Sequence, residues 1–226
     1  MKIAIIGAGN IGATLTRRLA ALGHTVSVAN SRGPQTLTDL AAETGATPLP
    51  IAEVTTGADL VIVAIPQSTI PKLPAGVLDE ISDGAAVVDT GNYVPTLRDG
   101  TIADLERGTV ESRWTEAHLG HPVIKAFNTV QAHQLATRGK PAGAPGRIAL
   151  PVAGDDAAAK SKVIELVEQL GFDAIDAGGL DESWRQQPGT PVYTADLDAA
   201  AARTALAEAR AQHTTAWRAR LTAKPA

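Results

Sequence analysis

Apolar residues fall along the chain in short continuous runs rather than in strict alternation. Ile3 to Ile6, Val26 to Ala29, Leu60 to Ile65, Ala85 to Val88, Pro122 to Ala126, Ile148 to Ala153 and Ala174 to Asp176 each read as a strand. Runs this short, bounded by Gly, Pro or Asp, suit strands of a parallel sheet covered on both faces. Between them the period lengthens to that of a helix. Ile11, Leu15, Leu19 and Leu22 form one stripe that Gly23 closes, and Leu37, Leu40 and Ala41 form another after Pro34, closed by Gly45. Further helices are expected from Val130 to Gly139, after Gly154-Asp155-Asp156 with Val163, Leu166, Val167 and Leu170 inward, and from Asp196 to Gln212. Less regular pieces fill the gaps: an edge strand at Thr47 to Leu49, a short helix from Ile51 to Val54, and a loosely amphipathic segment from Ile70 to Ile81 broken by Pro71 and Pro74. Tyr93 to Gly120 should hold one or two short helices anchored by Trp114. The alternation of strand and helix predicts a doubly wound α/β sheet.

The first strand runs straight into Gly7, Gly9 and Gly12, spaced G-x-G-x-x-G, with a helix directly behind them and a second strand after that. In this setting each glycine has a mechanical task. Gly7 permits the tight turn, Gly9 lets the backbone approach a pyrophosphate, and Gly12 lets helix and strand pack closely. The phosphates would sit on the free N–H groups of Asn10, Ile11 and Gly12 at the positive end of the helix dipole. The bland reading is a turn that merely needs glycine. Strand, turn, helix and strand in sequence favour a dinucleotide, and the fold class becomes a Rossmann-type doubly wound, mostly parallel sheet. Residues 1–128 would form the cofactor domain. Residues 129–226 would be a small α/β extension that adds strands and helices and closes the substrate cleft.

The end of the second strand selects the dinucleotide. A carboxylate there would accept the ribose 2′-OH of NAD, but the chain has Asn30, Ser31 and Arg32. A guanidinium and a hydroxyl suit a 2′-phosphate, so the expected cofactor is NADP(H). Ligands of open α/β sheets lie beyond the carboxyl ends of the strands, which brings Ile65, Pro66 and Gln67 to the cofactor as well.

Composition narrows the remaining choices. The chain has 226 residues, a formal net charge of −4, no cysteine and 3% aromatic residues. That balance gives no basic field for nucleic acid or a membrane surface, and it excludes disulfides, thiolate catalysis and thiolate-bound metal. Lys2 before an apolar run superficially suggests a secretion signal, but the run becomes the glycine turn at once, and a cytoplasmic protein is expected. No metal is expected: His118 and His121 lack a third ligand, and Asp155 with Asp156 read as a helix cap. No catalytic acid or base stands out, since hydride transfer needs positioning before proton donors. The polar loop Gly178 to Thr194, with Trp184, Arg185, Gln186, Gln187 and Tyr193, reads equally as a subunit contact or a substrate contact. Thr214 to Ala226 reads as a basic tail.

With the glycine turn, Asn30-Ser31-Arg32, Ala64-Ile65-Pro66, Asp89-Thr90-Gly91-Asn92, Lys125-Ala126-Phe127-Asn128-Thr129, Val152-Ala153-Gly154-Asp155-Asp156 and Asp176-Ala177-Gly178 in order, residues 1 to about 180 resemble the F420-dependent NADP oxidoreductases. The resemblance implies hydride transfer between NADP(H) and the deazaflavin coenzyme F420, in a homodimer. It implies that Ser31 and Arg32 hold the 2′-phosphate and that Ile65-Pro66 borders the nicotinamide. Asn128, Thr129 and Val130 would line the deazaflavin side, with Asn128 also beside the cofactor. Two other readings keep NADP(H): reduction of another acceptor, whether flavin, quinone, imine or small carbonyl, and a non-catalytic sensor.

Overall fold

The computed structural model describes residues 1–222. Three parallel strands come first, β1 (Lys2–Ile6), β2 (Thr25–Ala29) and β3 (Thr47–Pro48), separated by helices α1 (Asn10–Ala21) and α2 (Thr38–Thr44). After these come β4 (Leu60–Val63), β5 (Ala86–Asp89) and β6 (Ile124–Lys125), which complete a six-stranded sheet of order β3-β2-β1-β4-β5-β6. Every pairing in it is parallel, as in Ile5 opposite Val28 on one side and Ile62 on the other. The order reverses between β1 and β4, the place where such sheets hold ligands.

The apolar runs divide by parity onto the two faces. Ile3, Ile5, Leu60, Ile62 and Val88 pack with Leu15 and Leu19 of α1 and with Val163, Leu166 and Val167 from the C-terminal part of the chain, whereas Ala4, Ile6, Val61, Val63 and Val87 face the other way. This is why the runs are continuous. The second face is not covered by long helices. Pro66, Pro71 and Pro74 remove backbone donors, and the expected amphipathic segment becomes a 3₁₀ helix at Gln67–Lys72 followed by turns that bury Val77 and Leu78. The short helix expected at Ile51 to Val54 is likewise a series of turns.

Between β5 and β6 lie a π-helical turn (Pro95–Asp99), α3 (Ala103–Glu106) and α4 (Glu111–Leu119), one element more than expected, with Trp114 buried beside Ile70, Tyr93 and Leu105. The chain continues through α5 (Ala132–Thr137), β7 (Ala149–Val152), α6 (Ala157–Gln169) and β8 (Asp173–Asp176). Asp156 caps α6 by accepting from the N–H groups of Ala158 and Ala159. β7 and β8 form their own parallel pair, joined to the main sheet by an antiparallel bridge between Lys125 and Ala153. α7 (Ala199–Glu208) covers this pair through Ala202, Ala205 and Leu206.

Two expectations for the C-terminal third need correction. The polar loop after Gly178 contains a 3₁₀ helix, Leu180–Gln186, and Ser183, Gln186, Gln187 and Thr190 are buried rather than displayed. Gln186 Nε2 and Thr190 Oγ1 find partners inside the molecule, whereas Ser183 Oγ, Gln186 Oε1 and Gln187 Nε2 are buried without one. The basic tail is largely helical, α8 (Ala211–Thr222), with residues 223–226 outside the described part. Arg218 anchors α8 to the buried Glu111 at 3.0 Å, and Trp217 lies where a Cβ on Gly189 would come within 2.4 Å. Neither contact leaves a periodic trace in sequence. Among the described residues no helix is long and apolar enough to cross a membrane.

Candidate functional site

The carboxyl ends of β1, β2 and β4 enclose a cleft of about 430 Å³. Gly7, Ala8 and Gly9 form its floor, Asn30, Ser31 and Arg32 one bank, and Ala64, Ile65 and Pro66 the end nearest β4. Gly7 sits at φ +107°, and a Cβ there would lie 2.3 Å from the Ala64 carbonyl oxygen. Gly12 is tighter still: its Cβ would be 1.8 Å from the Gly7 carbonyl oxygen. Gly9 differs from both, since a Cβ on it would meet nothing within 4 Å. The space over Gly9 is therefore left open by the protein. Gly9 is also the N-cap of α1, the first turn carries no acidic residue, and no side chain caps it, so its leading N–H groups and dipole are available to an anion.

The Asn30 bank is shaped by its own hydrogen bonds. Asn30 Oδ1 accepts from the Arg32 backbone N–H at 2.9 Å, and Asn30 Nδ2 donates to Thr36 Oγ1 at 2.9 Å. The Asn30 carboxamide is thus occupied in holding the turn. The Ser31 and Arg32 side chains are exposed and make no hydrogen bond or ion pair among the described residues, which leaves both free for a ligand. Asn10 projects away from this cleft into an adjoining open groove with Ala13, Arg17 and His133, and Ile11 packs partly against the core.

Gln67 is not brought to the cleft wall. Its side chain is fully buried against α4, with Nε2 donating to the Glu111 carbonyl at 3.1 Å and to Thr115 Oγ1 at 2.8 Å. The 3₁₀ helix that starts at Gln67 carries this side chain off the strand-end rim and in against α4. Conversely, Ile51, Thr69, Lys72 and Leu73 line the cleft although the sequence did not single them out. Thr69, Lys72 and Leu73 lie a turn beyond Ile65 and Pro66 after β4, and Ile51 follows the end of β3.

Asn128, Thr129 and Val130 are brought together beyond β6, but buried rather than on the cleft wall. Phe127 before them adopts φ +62°, which turns the chain toward the 3₁₀ helix at Leu180–Gln186. Asn128 Nδ2 donates to the Gln186 carbonyl at 2.7 Å and to Asn92 Oδ1 at 3.1 Å, while Gln186 Nε2 returns a bond to Asn128 Oδ1 at 2.8 Å. Behind this knot lies a buried charge network. Lys125 Nζ stands 3.1 Å from Asp89 and 2.5 Å from the Gly91 carbonyl, and Ser112 Oγ donates to the same Asp89 oxygen as Lys125. Glu111 accepts from the Tyr93 N–H and from Arg218. Burial outweighs the attraction of Lys125 and Arg218 and raises the Glu111 carboxyl above its ordinary range. Burial, assisted by Glu106, pushes the Tyr93 hydroxyl up to about 12.

No three His, Asp or Glu side chains converge as a metal-ligand set among the described residues. A larger hollow, about 640 Å³, lies against α8 beside Thr96, Gly100 and Arg218, but no residue of the glycine turn or of the β1, β2 or β4 strand ends borders it.

Comparison with known proteins agrees with this geometry. Residues 2–93 match the family described as NADP oxidoreductase, coenzyme F420-dependent. The chain is similar to a hypothetical protein, SMa0349, of Sinorhizobium meliloti, at 32% identity and a TM-score of 0.72 over 87% of this chain and 95% of that one. A structure from Arthrobacter sp. FB24, named a "putative f420 dependent nadp-reductase", is 29% identical with a TM-score of 0.66, over 80% of this chain and 86% of that one. Among curated sequences, the protein named "Putative protein YjhV" of Escherichia coli is 50% identical over 60 residues, 26% of this chain and 44% of that one. The chain spans less than half the length of the curated relatives it matches. By its match over residues 2–93, with the glycine turn and strand order that go with it, the chain belongs to the family described as NADP oxidoreductase, coenzyme F420-dependent.

Proposed function

We propose that this chain transfers a hydride between NADP(H) and a deazaflavin, coenzyme F420. The observation that carries the cofactor half is the cleft over Gly9, with a bare helix N-terminus on its floor and the unengaged Ser31 and Arg32 on its bank. That donor set fits a pyrophosphate and a 2′-phosphate: backbone N–H groups and a dipole for the first, a guanidinium and a hydroxyl for the second. NADPH supplies the hydride when bound. The chain's part is to bind and orient: Gly9 admits the phosphates, Arg32 fixes the adenosine end, and Ile65-Pro66 sets the far limit of the nicotinamide. Positioning of this kind supplies most of what hydride transfer between two flat rings requires.

In this reading the acceptor lies beyond β5 and β6, where residues 129–226 close the cleft. In this reading Asn128, Thr129 and Val130, all buried, hold that wall from behind. The same burial favours keeping a second reading, an NADPH-dependent reductase of a different acceptor. The homodimer implied by the family belongs to the same proposal.

Incubating the protein with NADPH and, in parallel, oxidised F420, a free flavin, a quinone and an imine tests the assignment. Consumption of NADPH with F420 alone supports it. Turnover with another acceptor overturns the deazaflavin half, and tight binding without any turnover points to a sensor.

A further inference from the structure

Besides Asn30, Ser31 and Arg32, the cleft is lined by the end of the 3₁₀ helix Gln67–Lys72 and the residue after it. Leu73, with Ile51 and Ile65, gives the cleft a partly buried apolar wall, and Thr69 and Lys72 stand on the same segment. Lys72 is exposed and has no hydrogen bond or ion pair among the described residues. No Asp or Glu lines the cleft. Two unengaged cations therefore border one cavity from different segments, with apolar side chains next to one of them.

We propose that Lys72 is a specificity residue for this cofactor site, a second cation beside Arg32 for the 2′-phosphate, while Leu73 and Ile51 hold the adenine. The inference rests on the NADP(H) reading given above. The chemistry argues for a phosphate dianion as the target. A single arginine offers planar paired donors on one side, and an ammonium adds a second point charge that an unphosphorylated ribose cannot use. The lysine follows Pro71, whose ring restricts the backbone, and precedes Leu73 of the apolar wall. Its long stem leaves the head free to reach the ligand.

Titration calorimetry of the full chain with NADPH, NADH, 2′,5′-ADP and 5′-AMP tests the assignment, using the wild type, Lys72→Ala and Lys72→Arg. The expected result is a loss on the order of tenfold for NADPH and 2′,5′-ADP in Lys72→Ala, the size of one charged hydrogen bond. NADH and 5′-AMP should be unchanged, and Lys72→Arg should recover most of the affinity. Raising the salt should weaken the wild type toward the Lys72→Ala value for the two phosphorylated ligands only. If Lys72→Ala weakens NADH as much as NADPH, or neither, Lys72 does not read the 2′-phosphate, while wild-type preference for NADPH keeps the cofactor reading intact. If the wild type itself shows no preference for NADPH, both fall together.

Discussion

Asn128 and Gln186, 58 residues apart, exchange two hydrogen bonds: Asn128 Nδ2 to the Gln186 carbonyl at 2.7 Å and Gln186 Nε2 to Asn128 Oδ1 at 2.8 Å. The pair ties the end of β6 to the 3₁₀ helix after β8. Because both side chains are buried, removing the Gln186 side chain leaves Asn128 Oδ1 without water or its partner, while Asn128 Nδ2 keeps the Gln186 carbonyl and Asn92.

Gln186→Ala should therefore lower unfolding free energy by about 1–3 kcal/mol, with no change in NADPH affinity, since Gln186 does not line the cofactor cleft. Urea unfolding and a cofactor titration on the same variant read the two quantities. A stability unchanged within error would mean that the knot is not formed in solution.

The three glycines of the turn should fail in different ways. Gly12→Ala sets a methyl 1.8 Å from the Gly7 carbonyl oxygen, so strand and helix must part, and both thermal stability and binding should be lost. Gly9→Ala meets no protein atom, so its melting temperature should stay at the wild-type value while affinity for NADPH and NADH drops together. Differential scanning calorimetry beside binding separates the cases. Normal binding by Gly9→Ala would remove the pyrophosphate from this turn.

The pH dependence of stability should draw on carboxyl groups that act in opposite senses. Glu111 is held above the usual carboxylate range by burial, so the folded chain binds its proton more tightly than the unfolded chain. The stability linked to it is fully present below the unfolded value, about 4.3, and is lost as pH rises through the raised folded value. Asp155 and Asp176 act in the opposite sense. The Leu180 N–H and Arg113 hold Asp155 low, and against the cost of burial Lys160 holds Asp176 low. Their contribution is present above the ordinary carboxylate range and fades as pH falls through the lowered values. Denaturation across the pH range should show Glu111→Gln flattening the decline above the unfolded carboxylate value without altering the acid limb. A Glu111→Gln curve parallel to the wild type throughout would contradict the assignment.

The strands and the glycine turn were legible because their cause is local. A strand buried on both faces must be apolar at every position, and Gly7 and Gly12 have no room for a Cβ. The cover of the second face was less legible, since prolines at 66, 71 and 74 replace helices with turns whose burial depends on the sheet beneath. Least legible were features satisfied only across the fold. Gln67, Gln186 and Gln187 look like surface or ligand-facing residues, yet they are buried. α8 lacks an apolar stripe and is held by Arg218 on Glu111 and Trp217 over Gly189. Lys125 reads as a strand-end lysine, and only the parallel pairing of β5 with β6 sets it against Asp89. Within the cleft, Ser31 and Arg32 were readable from their distance beyond the glycines. Thr69 and Lys72 were not, because the loop after β4 has no fixed spacing.

The most direct test of the cofactor site is a titration of wild type and Arg32→Ala with NADPH and NADH. With the 2′-phosphate held by this guanidinium, Arg32→Ala should weaken NADPH by about 1.5–3 kcal/mol and leave NADH within error of wild type. Equal losses for the two cofactors, or none, would contradict the account.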